Sequence, residues 1–161
     1  MKLQLTLILL SSLCISNVSA IEYKAKMIRV VDGDTIEVLH NNVKKKIRLR
    51  HIDAPERSQR YGLAAKKFLS SELEGKYVTV NTDYKDRYGR DIGDIFIYES
   101  NVAIYINAKL IKTGNAWVYK SYRRNSYLMN LENHARENHL GLWKQKAPLE
   151  PWLFRDKKRK N

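Results

Sequence analysis

The sequence predicts an α+β domain, mainly β with helices: a five-stranded Greek-key β-barrel of the OB type carrying three α-helices. Three observations predict it. Segments between Ile21 and Asn101 alternate apolar and polar residues with the period of a strand, whereas one stretch inside that region, and the region from there to Trp143, adopt helical spacing. The first three strand segments are joined by short turns, and a helical segment separates the third from the fourth.

Tyr23–Val31, Thr35–His40 and Val43–Arg50 read as strands, linked at Asp32-Gly33 and Asn41-Asn42 by residue pairs that suit tight hairpin turns. Tyr61–Leu73 reads as the first helix, with Leu63, Ala64, Phe68 and Leu73 as its apolar positions and Gly75 as its stop. Tyr77–Asn81 and Asp91–Tyr98 alternate again, with a charged loop, Asp83–Arg90, between them. Val102–Lys112 reads as a second helix with Ile104, Ala108 and Ile111 on one face, and Ser126–His139 as a third with Leu128, Leu131 and Ala135. No repeat or low-complexity linker divides these pieces. Residues 21–145 therefore read as one domain and 146–161 as a basic C-terminal tail. The end from Arg155 is expected to be frayed and solvated, with at most a weak hold on phosphates.

Residues 1–20 read as a signal peptide. Lys2 precedes a mostly apolar run, Leu3–Ile15, and Val18-Ser19-Ala20 places small residues at a cleavage-like site. That run is shorter than the roughly 20 apolar residues of a membrane span. Cys14, the single cysteine, lies inside it, so the exported chain would carry no disulfide. Its destination would be the periplasm or the exterior.

The 161 residues include 30 Lys and Arg against 17 Asp and Glu, a formal net charge of +13, of which only Lys2 lies in the signal peptide. With 43% hydrophobic residues the chain is not a disordered basic tail. The surplus points instead to a polyanionic partner: nucleic acid, an anionic membrane surface or an acidic polysaccharide.

Two segments gather acidic groups within this basic chain: Asp32-Gly33-Asp34-Thr35 and the run from Arg48 to Asp53-Ala54-Pro55-Glu56. Carboxylates beside a phosphate-binding surface repel the ligand unless a cation neutralises them, which points to a metal. Asp34, Asp53 and a backbone carbonyl suit a hard cation such as Ca²⁺, although the spacing is not that of an EF-hand loop. Pro55 biases Ala54 towards an extended conformation that could aim its carbonyl. Phosphodiester hydrolysis needs an activated water, a Lewis acid and cationic donors for the growing charge. Glu56 can serve the water, and Arg48 with Arg90 can clamp the phosphate. Plainer readings stay open: a simple hairpin turn at Asp32-Gly33, ion pairs of Asp53 and Glu56 with Arg50 and Arg57, and a pair of Arg90 with Asp86 or Asp91. His40, His51, His134 and His139 show no metal-ligand spacing.

These segments, together with Tyr61-Gly62, Asp86-Arg87-Tyr88-Gly89-Arg90 and Gly141-Leu142-Trp143, occur in an order that resembles the staphylococcal-nuclease-like, or thermonuclease, family over roughly Tyr23–Trp143. The resemblance implies an OB-fold barrel and a Ca²⁺-dependent endonuclease acting on DNA and RNA with little sequence preference and leaving 3′-phosphate ends. It implies Asp34, Asp53 and the Ala54 carbonyl as metal ligands, Glu56 as general base or water-positioning residue, Arg48 and Arg90 as catalytic arginines, and Asp32 as a shaper of the metal loop. Tyr88, Tyr119 and Trp117 are the implied substrate-binding aromatics, although core packing accounts for Trp117 equally well. Ala54 and Ala64 stand where the family often has threonine and glutamate, Trp117 replaces a tyrosine, and the 57–60 loop is short. A monomer is expected, with no membrane span and no stable protein partner. The alternative is a non-catalytic OB-fold nucleic-acid-binding protein, which a cleavage assay separates from a nuclease.

Overall fold

The computed structural model describes residues 20–160, so the expected signal peptide, apart from Ala20, lies outside the described residues. The chain runs β1 (Ile21–Asp32), β2 (Thr35–His40), β3 (Val43–Leu49), β4 (Ile52–Asp53), α1 (Gly62–Leu73), β5 (Tyr77–Lys85), β6 (Asp91–Glu99), β7 (Val102–Tyr105), α2 (Ile106–Lys112), β8 (Trp117–Val118), α3 (Ser126–Glu137) and α4 (Pro151–Lys160). Strands β3-β2-β1-β5-β6 pair in that order, and a parallel pairing of β3 with β6, Ile47 opposite Asp91 to Leu49 opposite Gly93, closes them into a five-stranded barrel. Closure leaves β7 as an appendix on β6 rather than a sixth stave.

Strand alternation builds the core. Ile36 and Val38, Ile47 and Leu49, Val78 and Val80, and Ile95 and Ile97 point inward and are buried. Asn41 and Asn42 both take positive φ, 48° and 61°, as the two-residue turn between β2 and β3 demands. Helix α1 lies over the barrel with Ala65, Leu69 and Leu73, one i, i+4 row, fully buried. Leu63 and Ala64, expected on its apolar face, are exposed because they lie off that row.

Two expectations are corrected and one unanticipated strand pairing is added. Val102–Tyr105 is a strand and the second helix starts at Ile106: Ser100 and Asn101, at φ 48° and 66°, turn the chain back so that Phe96 pairs with Tyr105. A short ladder of β4 with β8, Asp53 opposite Trp117, has no periodic signal at two residues per strand, yet it fixes Asp53 in place. The supposed tail contains a fourth helix, α4, seated by the buried Pro151, by a hydrogen bond from Gln59 Nε2 to the Leu149 carbonyl (2.5 Å), and by Trp152 set edge-on to Trp117 at 6.0 Å.

A second apolar cluster, Trp117, Ala135, Leu142 and Trp143, joins α3 to β8. There the fully buried Glu132 accepts the Val118 N–H at 2.7 Å and pairs with Arg123 and Arg136 at 3.2 and 2.7 Å. Glu132→Ala is expected to lower unfolding free energy by about 3 kcal/mol, because it strands the Val118 N–H and opens a cavity. Urea denaturation checks this, with Glu132→Gln, which keeps an acceptor, losing less; equal midpoints for Ala and wild type would refute it. Among the described residues no helix is long and apolar enough to cross a membrane.

Candidate active site

One cleft of about 800 Å³ opens where the β1–β2 turn, the end of β3, the β4 segment, the β5–β6 loop and α4 meet. Eight of the nine residues expected in the site line it: Asp34, Arg48, Asp53, Ala54, Glu56, Tyr88, Arg90 and Tyr119. Trp117 does not. It is 2% exposed and packs edge-on against Trp143 at 4.3 Å, beneath the Arg136 guanidinium, so a substrate-binding role for it is corrected to a core role.

The acidic segments meet because Gly33 has no side chain. A Cβ there would lie 2.6 Å from the Ala54 Cβ, so only glycine lets the β1–β2 turn close on the segment after β4. Asp34 Oδ2 accepts the Ala54 N–H at 2.7 Å, and Oδ1 accepts the Thr35 hydroxyl at 3.2 Å. Arg48 joins the two acids: its Nη2 lies 3.1 Å from Asp34 Oδ2 and 3.0 Å from Asp53 Oδ1, and its Nη1 donates to the Leu49 carbonyl. Burial pushes the Asp34 carboxyl up to about 7; Arg48 opposes the rise, Asp32 and Asp53 add to it, and the Ala54 N–H opposes it.

Asp53 is 1% exposed and Glu56 half-buried. Neither pairs with Arg50, which binds Asp83 Oδ1 at 2.5 Å instead. Their partner is Arg155 of α4. Its Nη2 donates to Asp53 Oδ2 at 2.7 Å, while Nη1 donates to Asp53 Oδ1 at 3.1 Å and to Glu56 Oε1 at 2.7 Å. Burial works against the charge on Arg155, but the hydrogen bonds to Asp53 and Glu56 prevail and hold its pKa above the ordinary guanidinium value. Gln59 couples the same elements, since its Oε1 accepts the Glu56 N–H at 3.1 Å while its Nε2 holds Leu149 ahead of α4.

On the other wall, Arg90 is tied by Nε to Asp86 Oδ2 at 2.8 Å, as one sequence reading had it. That bond leaves both terminal nitrogens without a protein partner among the described residues, on a side chain that lines the cleft. Burial alone would raise the Asp86 pKa, but the backbone N–H groups of Arg90 and Tyr88 and the Arg90 guanidinium hold it below the ordinary value, so the clamp stays charged. Tyr88 is 69% exposed beneath the Arg87 and Arg90 guanidinium groups. Tyr119 is half-buried, fixed by its N–H to the His51 carbonyl at 2.8 Å.

The donor chemistry fits a hard divalent cation: two buried carboxylates meet at one guanidinium nitrogen and offer only oxygen. Among the described residues no three His, Cys, Asp or Glu side chains gather as a metal cage.

A family model described as staphylococcal nuclease homologue matches residues 46–145, from within β3 to the end of the second cluster. The chain belongs to that family. An uncharacterized endonuclease of Escherichia coli O157:H7 is 39% identical over 133 residues, covering 83% of this chain and 85% of its own. A micrococcal nuclease of Shigella flexneri is 34% identical over 141 residues, 83% and 81% of the two chains. An uncharacterized endonuclease of Haemophilus influenzae is 34% identical over 161 residues, 99% of this chain and 88% of its own. This staphylococcal nuclease homologue is therefore a nuclease of the hydrolase class, with the OB-type barrel as its scaffold.

Proposed function

We propose that this nuclease is an exported, Ca²⁺-dependent endonuclease that hydrolyses DNA and RNA with little sequence preference and leaves 3′-phosphate ends. The observation that carries the reading is the convergence of Asp34, Arg48, Asp53, Glu56 and Arg90 on one cleft. Asp34 and Asp53 would hold the ion through carboxylates, with the Ala54 carbonyl as the third protein ligand. When bound, Ca²⁺ supplies Lewis-acid polarisation of the phosphate. Glu56 orients the attacking water and accepts its proton. Arg48 and Arg90 donate to the non-bridging oxygens as charge grows on them. Attack breaks the P–O5′ bond, so the phosphate stays on the 3′ side and the departing 5′-oxygen takes up a proton. Tyr88 and Tyr119 offer aromatic faces to unstacked bases, which is a sequence-tolerant grip.

Release of acid-soluble nucleotides from DNA and from RNA is expected with Ca²⁺ and is expected to stop on adding EGTA. Full activity in EGTA would overturn the metal requirement, and no cleavage under any condition would overturn the reading. Export is supported by the apolar run after Lys2 and the small residues ending at Ala20. Mature protein recovered outside the cytoplasm should begin at or near Ile21.

A further inference from the structure

Helix α4 lies beyond residues 46–145, the span matched by the family model, and the proposed mechanism gives it no part. Yet it is built into the cleft. Trp152, Phe154, Arg155, Asp156, Lys158 and Arg159 line the cleft, whereas Lys157 and Lys160 do not. The lining residues recur at helical spacing, so one face of α4 looks into the cleft and the other into solvent. Three attachments hold that orientation: Arg155 on Asp53 and Glu56, Trp152 against Trp117 and Tyr119, and Gln59 on the Leu149 carbonyl.

We propose that α4 is a second nucleic-acid-binding wall, with Lys158 and Arg159 holding backbone phosphates of the strand beside the scissile bond. The inference rests on the nuclease reading above and extends it. Both side chains are exposed at the rim of a cleft whose floor holds the proposed catalytic groups, so a strand laid across that floor passes them. Asp156, also lining the cleft, is paired with Arg159, which lowers its own repulsion towards a phosphate. Arg155 is committed to the carboxylates and anchors the wall.

The test compares two pairs of substitutions with equal charge loss on opposite faces of the helix. Binding of a labelled single-stranded oligothymidylate is followed by fluorescence anisotropy in EDTA over a range of salt. Lys158→Gln with Arg159→Gln is expected to raise Kd roughly tenfold at about 0.1 M salt and to reduce the slope of log K against log salt by about 1.4, the loss of two single-strand phosphate contacts. Lys157→Gln with Lys160→Gln is expected to change Kd less than about threefold, as diffuse charge alone would. Lys158→Arg with Arg159→Lys should keep the wild-type slope, and circular dichroism should show wild-type helix content in all three. Equal losses from the two glutamine pairs, or none from the cleft-facing pair, would overturn the wall. Failure of the wild type to cleave would overturn the nuclease reading instead, so the two outcomes are distinct.

Discussion

Glu56→Gln is expected to lower kcat about a hundredfold to ten-thousandfold, the range a positioned general base contributes. The amide keeps the shape of the side chain and an oxygen that can still accept from Arg155 Nη1, now at 2.7 Å from Glu56 Oε1, so α4 should stay docked. It cannot take a proton from water. KM should move little, because the residues proposed to hold the phosphate, Arg48 and Arg90, are untouched. Single-turnover cleavage of a short oligonucleotide in saturating Ca²⁺ separates the chemical step from product release. A variant within threefold of wild type in that assay would remove Glu56 from the chemistry, and with it the proposed mechanism.

Much of this site was legible because its parts are short, local motifs. Asp34 with Thr35, Arg48, and Asp53 to Glu56 carry their chemistry in residue type, and the hairpin signals at Asp32-Gly33 and Asn41-Asn42 place them at one end of adjacent strands. The barrel strands were legible for the same reason: alternation over six or more residues reports a half-buried surface. What escaped was long-range. Arg155 lies 102 positions from Asp53 in sequence, and a run of Lys and Arg looks the same whether it is solvated or docked. Its docking was signalled, if at all, by Pro151-Trp152 and Phe154, a helix-starting proline followed by aromatic residues within a basic segment. Val102–Tyr105 misled because a four-residue strand running straight into a helix shares its apolar positions with both periods. Trp117 was undecidable from sequence, since β8 spans only two residues, both buried, and what Trp117 packs against, Trp143 and Arg136, is distant in sequence.

The second large effect is expected at a residue that carries no side chain. Gly62→Ala should lower activity about a hundredfold and also destabilise the fold by about 3 kcal/mol. Gly62 opens α1, and its N–H donates to the Gln59 carbonyl at 2.9 Å, while the Gln59 N–H donates to the Glu56 carbonyl at 2.8 Å. A Cβ on residue 62 would stand 1.9 Å from that Glu56 oxygen and 2.7 Å from its carbon. The obstacle is backbone, which cannot rotate away as a flexible side-chain end could. The Glu56 peptide must therefore retreat by about 1 Å, and a catalytic group displaced that far loses about two orders of magnitude in rate. Gly75→Ala is the matched control. Gly75 sits at φ +73°, so alanine there costs about 1 kcal/mol in backbone strain, but no atom lies within 4 Å of the added Cβ. Thermal denaturation of both variants, with turnover measured at a temperature where each is folded, separates displacement of Glu56 from loss of stability. If Gly62→Ala turns over like Gly75→Ala under those conditions, the closeness of α1 to Glu56 has no part in setting the site.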